Sequence, residues 1–363
     1  MESEKIGNKE AVVFIVTIML NIIILSASKI IIKDCKSSSI LNVILISAIA
    51  IFIVFLICKL LKNFAGKSLL DISKFLGGSF LQFIVGFIYI AYFAFVTGIL
   101  LNKICDCLQI VFYPNTNLVF ILLLFIISAA IISNFKNNSI FKSTLIIFPL
   151  LVLAIALVFI GNTKNFNFDN IYPILGNDIN TTFVVGITNL FTFSGLCYLY
   201  FLPTHLSNPE KFKKIAISSI ILTSAFLILI IANILFMFNN TLSSSELFPL
   251  YIAVRYIEFG TFVQRLDSLF LLICILSFIS YLTINTVVCT DIFKKISNLS
   301  DNKPIIYPYL LCVFAIALTV KDNPTLEFLE NTVFKILFFA IVIAFSIIIL
   351  ILANFKKRCQ DWR

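Results

Sequence analysis

Long apolar runs separated by short polar interruptions recur along the whole chain. They lie near residues 11–32, 39–61, 79–101, 117–134, 143–161, 183–203, 214–237, 265–290, 305–320 and 333–354. A helix needs roughly 17–25 apolar residues to cross the hydrocarbon core of a bilayer. None of the runs shows the strict apolar–polar alternation of a membrane barrel strand, so helices are the predicted elements. The pattern predicts an all-α polytopic membrane protein with about ten transmembrane helices in a single membrane domain over residues 1–363.

Composition agrees. Hydrophobic residues make up 60% of the chain and charged residues 12%, against about 45–50% and about 25% in a soluble domain. The formal charge of +9 sits in small clusters between the runs, with no extended basic face to track phosphates, which argues against nucleic acid. With both termini cytoplasmic, eighteen Lys and Arg fall in cytoplasmic segments and seven on the opposite side, the bias that sets membrane orientation. Residues 11–25 followed by Ser26-Ala27-Ser28 mimic a signal peptide. Glu2, Glu4 and Glu10 spoil its basic flank, and Ile30-Ile31-Ile32 continues the run, which favours a first span.

Chemistry is sparse. The nine cysteines fall mostly inside apolar runs, where a thiol acts as a small hydrophobe. Cys105 and Cys107 lack companions at zinc spacing. No metal set, cofactor motif or nucleophile–base pair is visible, so an enzyme is not expected. Ionisable residues within the spans are nearly absent. His205, after Pro203, reads as an interfacial residue.

The informative positions are those that interrupt a helix, because freed backbone groups in lipid need partners from protein, water or ligand. Span 6 carries Thr192, Ser194 and Gly195 ahead of Pro203, and span 1 carries Asn21 and then Ser26-Ala27-Ser28. A close helix–helix contact at the small residues is the alternative reading. Tyr89 and Tyr92 lie i,i+3 on one face of span 3. A zwitterion between spans 1, 3, 6 and 8 would then meet Asn21, Ser26, Tyr89, Tyr92, Thr192, Ser194 and Gly195. Between spans 7 and 8, residues 249–258 predict a helix resting on the outer mouth. Arg255, Glu258, Arg265 and Asp267 there form a structural charge cluster. Spans 1 and 6 begin two five-helix halves, residues 10–161 and 183–354, and an odd-numbered repeat places such halves in opposite orientations.

Phe248-Pro249, Arg255-Tyr-Ile-Glu258 and Phe262-Val-Gln-Arg265-Leu-Asp267-Ser-Leu-Phe270, with Phe193-Ser194-Gly195 through Pro203 and Tyr89-Ile-Ala-Tyr92-Phe, resemble the B subunits of spore germinant receptors. That family lies within the amino acid–polyamine–organocation permeases. The resemblance implies a LeuT-like 5+5 inverted repeat and a subunit that senses an amino acid or similar nutrient. It also implies a place in the spore inner membrane, beside an A subunit and a lipoprotein C subunit, among membrane lipid. The alternative is an amino acid permease that completes transport. The family's Gly-x-Gly stretch in span 1 is replaced here by Asn21, Ile23 and Ser28. The acidic residue common after its span-6 glycine is replaced by Cys197. Both departures suit a receptor better than a pump.

Overall fold

The computed structural model describes residues 5–135, 137–176, 179–238, 248–257, 266–299 and 303–361. Nearly all of these residues are helical, and among them the only β contact is an isolated parallel bridge between Ile6 and Leu206. Among the described residues, seven helical stretches are long and apolar enough to cross a membrane. The first, Asn8–Phe64, holds two of the expected spans, and Leu118–Ser133 and Lys303–Thr319 are shorter apolar helices.

Span 1 covers residues 8–35 and turns at Lys36 (φ 49°) into span 2, Ser39–Leu61. Span 3 belongs to Leu69–Phe112 and is bent off its first turns at Gly77 and Gly78. Gly78 has φ 73° and ψ −165°, a backbone state that a side chain would strain. Ser68 and Asp71 cap the start of that helix, and Asp71 also takes Lys295 at 2.7 Å from span 8. Spans 4 and 5 are Leu118–Ser133 and Asn137–Gly161. Span 6 covers residues 179–200, span 7 is Phe212–Met237 and span 8 is Leu266–Ser297. Span 9 is Lys303–Thr319 and span 10 runs over residues 323–361.

The packing is symmetric under exchange of each span with the one five places later. Span 1 packs on spans 5 and 7, as span 6 packs on spans 10 and 2. Span 3 packs on spans 9 and 10, as span 8 packs on spans 4 and 5. The pairs 1–6, 2–7, 3–8 and 4–9 map onto themselves. Five is odd, so equivalent spans run in opposite directions through the bilayer. This is the expected LeuT-like 5+5 inverted repeat. Apolar residues cover the outer surface as well as the core: Phe52, Phe80 and Ile146 are 65%, 76% and 72% exposed. In water such a surface would aggregate, and in a bilayer it is solvated.

Ile6 and Lys357, near the two ends of the described chain, lie on one face. The Ile6 amide donates to the His205 carbonyl at 2.8 Å, and Ser207 returns a bond to Ile6 at 3.0 Å. Lys357 donates to the Asn63 carbonyl at 2.6 Å, and Gly66 of that loop abuts Pro209. Near the opposite face, Pro249–Arg255 forms a short helix between spans 7 and 8. Its Ala253 carbonyl accepts from Asn162 at 3.1 Å, and Tyr251 donates to Asp267 at 3.1 Å. Glu258 and Arg265 lie outside the described residues.

Candidate functional site

Spans 1 and 6 cross at the centre of the molecule, and both leave α-helical geometry where they do. Span 1 widens into a π-helical turn at Ile23–Ala27, whereas span 6 tightens into a 3-10 helix over Val185–Tyr200. Phe193 leaves helical geometry altogether, at φ −89° and ψ 26°. A 3-10 run of that length is rare, and π turns concentrate at functional positions. The two irregular segments touch each other, and the π turn also packs on span 3. A change of hydrogen-bond register is where a helix can release backbone groups to a ligand.

The seven expected residues separate into two groups. Ser26 on the π turn, Tyr92 on span 3 and Ser194 on span 6 are buried; the Ser26 hydroxyl has no hydrogen-bond partner, and those of Tyr92 and Ser194 have none but each other. Tyr92 stands beside Ser194. The other four are occupied. Asn21 donates to the Thr17 carbonyl and to the Ser277 hydroxyl of span 8, both at 2.8 Å. Tyr89 pairs with Ser346 of span 10, and Thr192 donates to the Asn189 carbonyl at 2.7 Å. Gly195 lies against span 1, where an added Cβ would meet Met19 Cγ at 2.6 Å.

An unpaired buried polar atom costs about 1–3 kcal/mol. Ser26, Tyr92 and Ser194 bring hydroxyls from three adjoining spans to the crossing, where a guest able to donate and accept hydrogen bonds would find partners. Two further buried hydroxyls lie nearby, Thr97 of span 3 and Tyr309 of span 9, within reach of each other and beside Tyr281 of span 8. These two were absent from the expected set. Thr97 lies eight residues past Tyr89, on the same helical stripe, which is a legible signal. Tyr309 has none, because nothing in one dimension brings span 9 to span 3. Tyr198 of span 6 pairs with Asn285 of span 8 and closes the side towards the chain ends. Aromatic rings line the flank: Tyr89 meets Phe201 edge-on at 4.9 Å, and Phe93 meets Tyr198 at 5.0 Å.

The structure corrects the expectation of almost no ionisable groups within the spans. Lys103 and Glu330 pair at 2.6 Å, and both are buried. Lys335 pairs with Asp34 at 2.7 Å, and Glu327 holds both Lys29 and Lys33 at 2.7 Å. Each partner comes from a different span, so each reads in sequence as a loop lysine or a stray acid. Together they lock spans 1, 3 and 10 at the end opposite the chain termini.

The remaining candidates are peripheral. Arg255 is exposed at the last turn of its short helix, and Asp267 couples that helix to span 8 through Tyr251. The His205 ring rests on Phe141, with centroids 5.7 Å apart. Burial holds its imidazole below the usual value, against the pull of Asp291. Among the described residues, no group of three His, Cys, Asp or Glu is placed to hold a metal ion.

Comparison with known proteins gives four concordant findings. The family model described as spore germination protein matches residues 5–327. Spore germination protein B2 of Bacillus subtilis (strain 168) is 21% identical over 228 residues, 62% of this chain and 62% of that protein, so the match spans less than two thirds of that relative. Spore germination protein KB of the same organism is 22% identical over 328 residues, 88% of this chain and 87% of that protein. Among solved structures, MhsT in complex with L-phenylalanine superposes with a TM-score of 0.68 at 13% identity, covering 98% of this chain and 99% of the other. At that identity the likeness concerns the fold.

Proposed function

The chain belongs to the spore germination protein family, and from that premise we propose that it is the ligand-sensing B-type membrane subunit of a spore germinant receptor. The observation that carries the reading is the set of buried hydroxyls of Ser26, Tyr92 and Ser194, which no other protein group engages, where the π turn of span 1 meets the 3-10 run of span 6. The ligand is an amino acid or a similar small zwitterion. Its carboxylate needs donors and its ammonium needs acceptors, and hydroxyls with released backbone groups offer both without a buried side-chain charge. Tyr89 and Tyr92 wall the pocket. Asn21, Thr192 and Gly195 shape it from behind through the bonds and contacts they already make.

In this reading the work is binding, with no covalent step. A ligand that bridges spans 1, 3 and 6 favours one arrangement of the two halves over another, and only that difference in affinity can move the equilibrium. The ion pairs of Lys29, Lys103 and Lys335 hold the far end shut, which suits a receptor that takes up a ligand and relays a change of shape. The relay goes to an A subunit with cytoplasmic domains and a lipoprotein C subunit, in the spore inner membrane, with both ends of this chain cytoplasmic.

An amino acid permease is the second reading, favoured by a fold that transporters share. Against it, Cys197 supplies no carboxylate at span 6 to couple an ion or proton. One experiment separates the readings. Spores carrying Ser194→Val are scored for germination against single amino acids, and labelled amino acid uptake is measured with the unmodified chain. The expected result is a rise of about tenfold or more in the amino acid concentration needed, at unchanged protein abundance, since losing one bond to a charged group costs about 1.5–3 kcal/mol. An unaltered response removes the pocket from this place. Gradient-driven accumulation by the unmodified chain alone makes it a permease.

A further inference from the structure

On the face that carries both chain ends, a cavity of about 590 Å³ opens between the last turns of span 2 and the first turn of span 7. Its floor is apolar: Cys58, Leu61, Phe64 and Phe212 are all buried. Three exposed lysines, Lys59, Lys62 and Lys213, converge on its rim. None of them pairs with Glu210, the single carboxylate in the wall. Lys213 is turned inward, with its ammonium 4.5 Å from the centroid of the Phe55 ring. Phe55 and Phe52 lie one and two turns back from Lys59 along the same face of span 2, 47% and 65% exposed. An apolar track therefore climbs the lipid-facing surface and ends in an apolar hollow ringed by three cations.

Lysines that only satisfy the positive-inside bias would extend into water and need no hollow. A soluble anion would use the cations and leave the apolar floor and track bare. We propose that this cavity is a binding site for a phospholipid with an anionic headgroup. The phosphate sits among Lys59, Lys62 and Lys213, the glycerol lies over the floor, and an acyl chain runs down Phe55 and Phe52. Pro203, at the end of span 6, lines the same cavity. A seated lipid therefore braces the segment that carries the candidate ligand site, and lipid composition becomes an input to the receptor.

The test uses the full chain purified in detergent and reconstituted with an equal mixture of phosphatidylglycerol and phosphatidylcholine. After detergent washing, the co-purifying lipid is quantified by mass spectrometry. Phosphatidylglycerol is expected to be retained in preference. Retention should fall about tenfold or more in Lys59→Gln/Lys62→Gln/Lys213→Gln, since each basic residue near an anionic surface contributes about a fivefold factor. The matching triple arginine variant should retain it, and excess glycerol phosphate should not displace it. Equal retention of both lipids, or unchanged retention in the glutamine variant, overturns the proposal. So does loss in the arginine variant, because charge at the rim is then not what holds the lipid. Displacement by glycerol phosphate overturns it in favour of a soluble anion site.

Discussion

Gly195 illustrates how one position answers to two demands. Its backbone approaches Met19 so closely that a Cβ would come within 2.6 Å of the thioether arm, so its lack of a side chain serves the crossing of spans 1 and 6. A methionine can yield, which limits the cost. Gly195→Ala is expected to destabilise the protein by about 1–3 kcal/mol through overpacking, lowering the melting temperature in detergent while leaving the amino acid response of surviving protein intact. A loss of response with no change in melting temperature would place Gly195 in the pocket wall instead. Gly195→Trp, correspondingly, should abolish assembly before it abolishes sensing. At this scale the sequence marks the region well and the roles poorly. Ser194 and Thr192 look alike as small hydroxyl residues two apart, yet Thr192 bonds back to Asn189 and Ser194 faces Tyr92 of span 3. That difference depends on rotamer and neighbour.

Among the elements, span 6 announces its irregularity through Gly195 and Pro203, residues that loosen or end a helix. Span 1 does not. Its π turn at Ile23–Ala27 contains no Gly or Pro. A π turn widens the helix by one residue rather than breaking it, and nothing in Ile-Ile-Leu-Ser-Ala marks that. The pairing of charges between elements is hidden for a different reason. Lys103 and Glu330 are 227 residues apart and meet only because spans 3 and 10 pack together. Removing one member of a buried pair strands the other and costs about 3–5 kcal/mol, while replacing both with apolar residues of similar size is close to neutral. Glu330→Met alone should therefore sharply reduce the amount of folded protein in the membrane. Lys103→Met together with Glu330→Met should restore it. If the double variant is no better than the single, the two residues are not acting as a pair, and the lock on spans 1, 3 and 10 loses its central member.

For the whole molecule, the ten runs and their parity are legible because lipid imposes length and apolarity on every crossing, and an even number of crossings returns both ends to one side. The 5+5 symmetry is legible only as a count, since its substance lies in which spans touch. The remaining question at this scale is which face is cytoplasmic. The face that joins Ile6, His205, Asn63 and Lys357 also carries Lys59, Lys62, Lys211 and Lys213, and basic residues flanking spans are retained on the cytoplasmic side. On the far face, Lys29, Lys33, Lys103 and Lys335 are all held by Glu327, Glu330 and Asp34. That pairing explains how so many lysines reside there in an inverted repeat that must bring spans 1, 3 and 10 together. A reporter that matures only in the cytoplasm is therefore expected to be active when fused after Arg363 and silent when inserted at Lys164, between spans 5 and 6. A reporter that works only outside should give the reverse. Activity of one reporter at both positions would break the even count of crossings. The reverse result at both positions would keep the fold and turn it over in the membrane, exposing the three-lysine cavity to the outer leaflet.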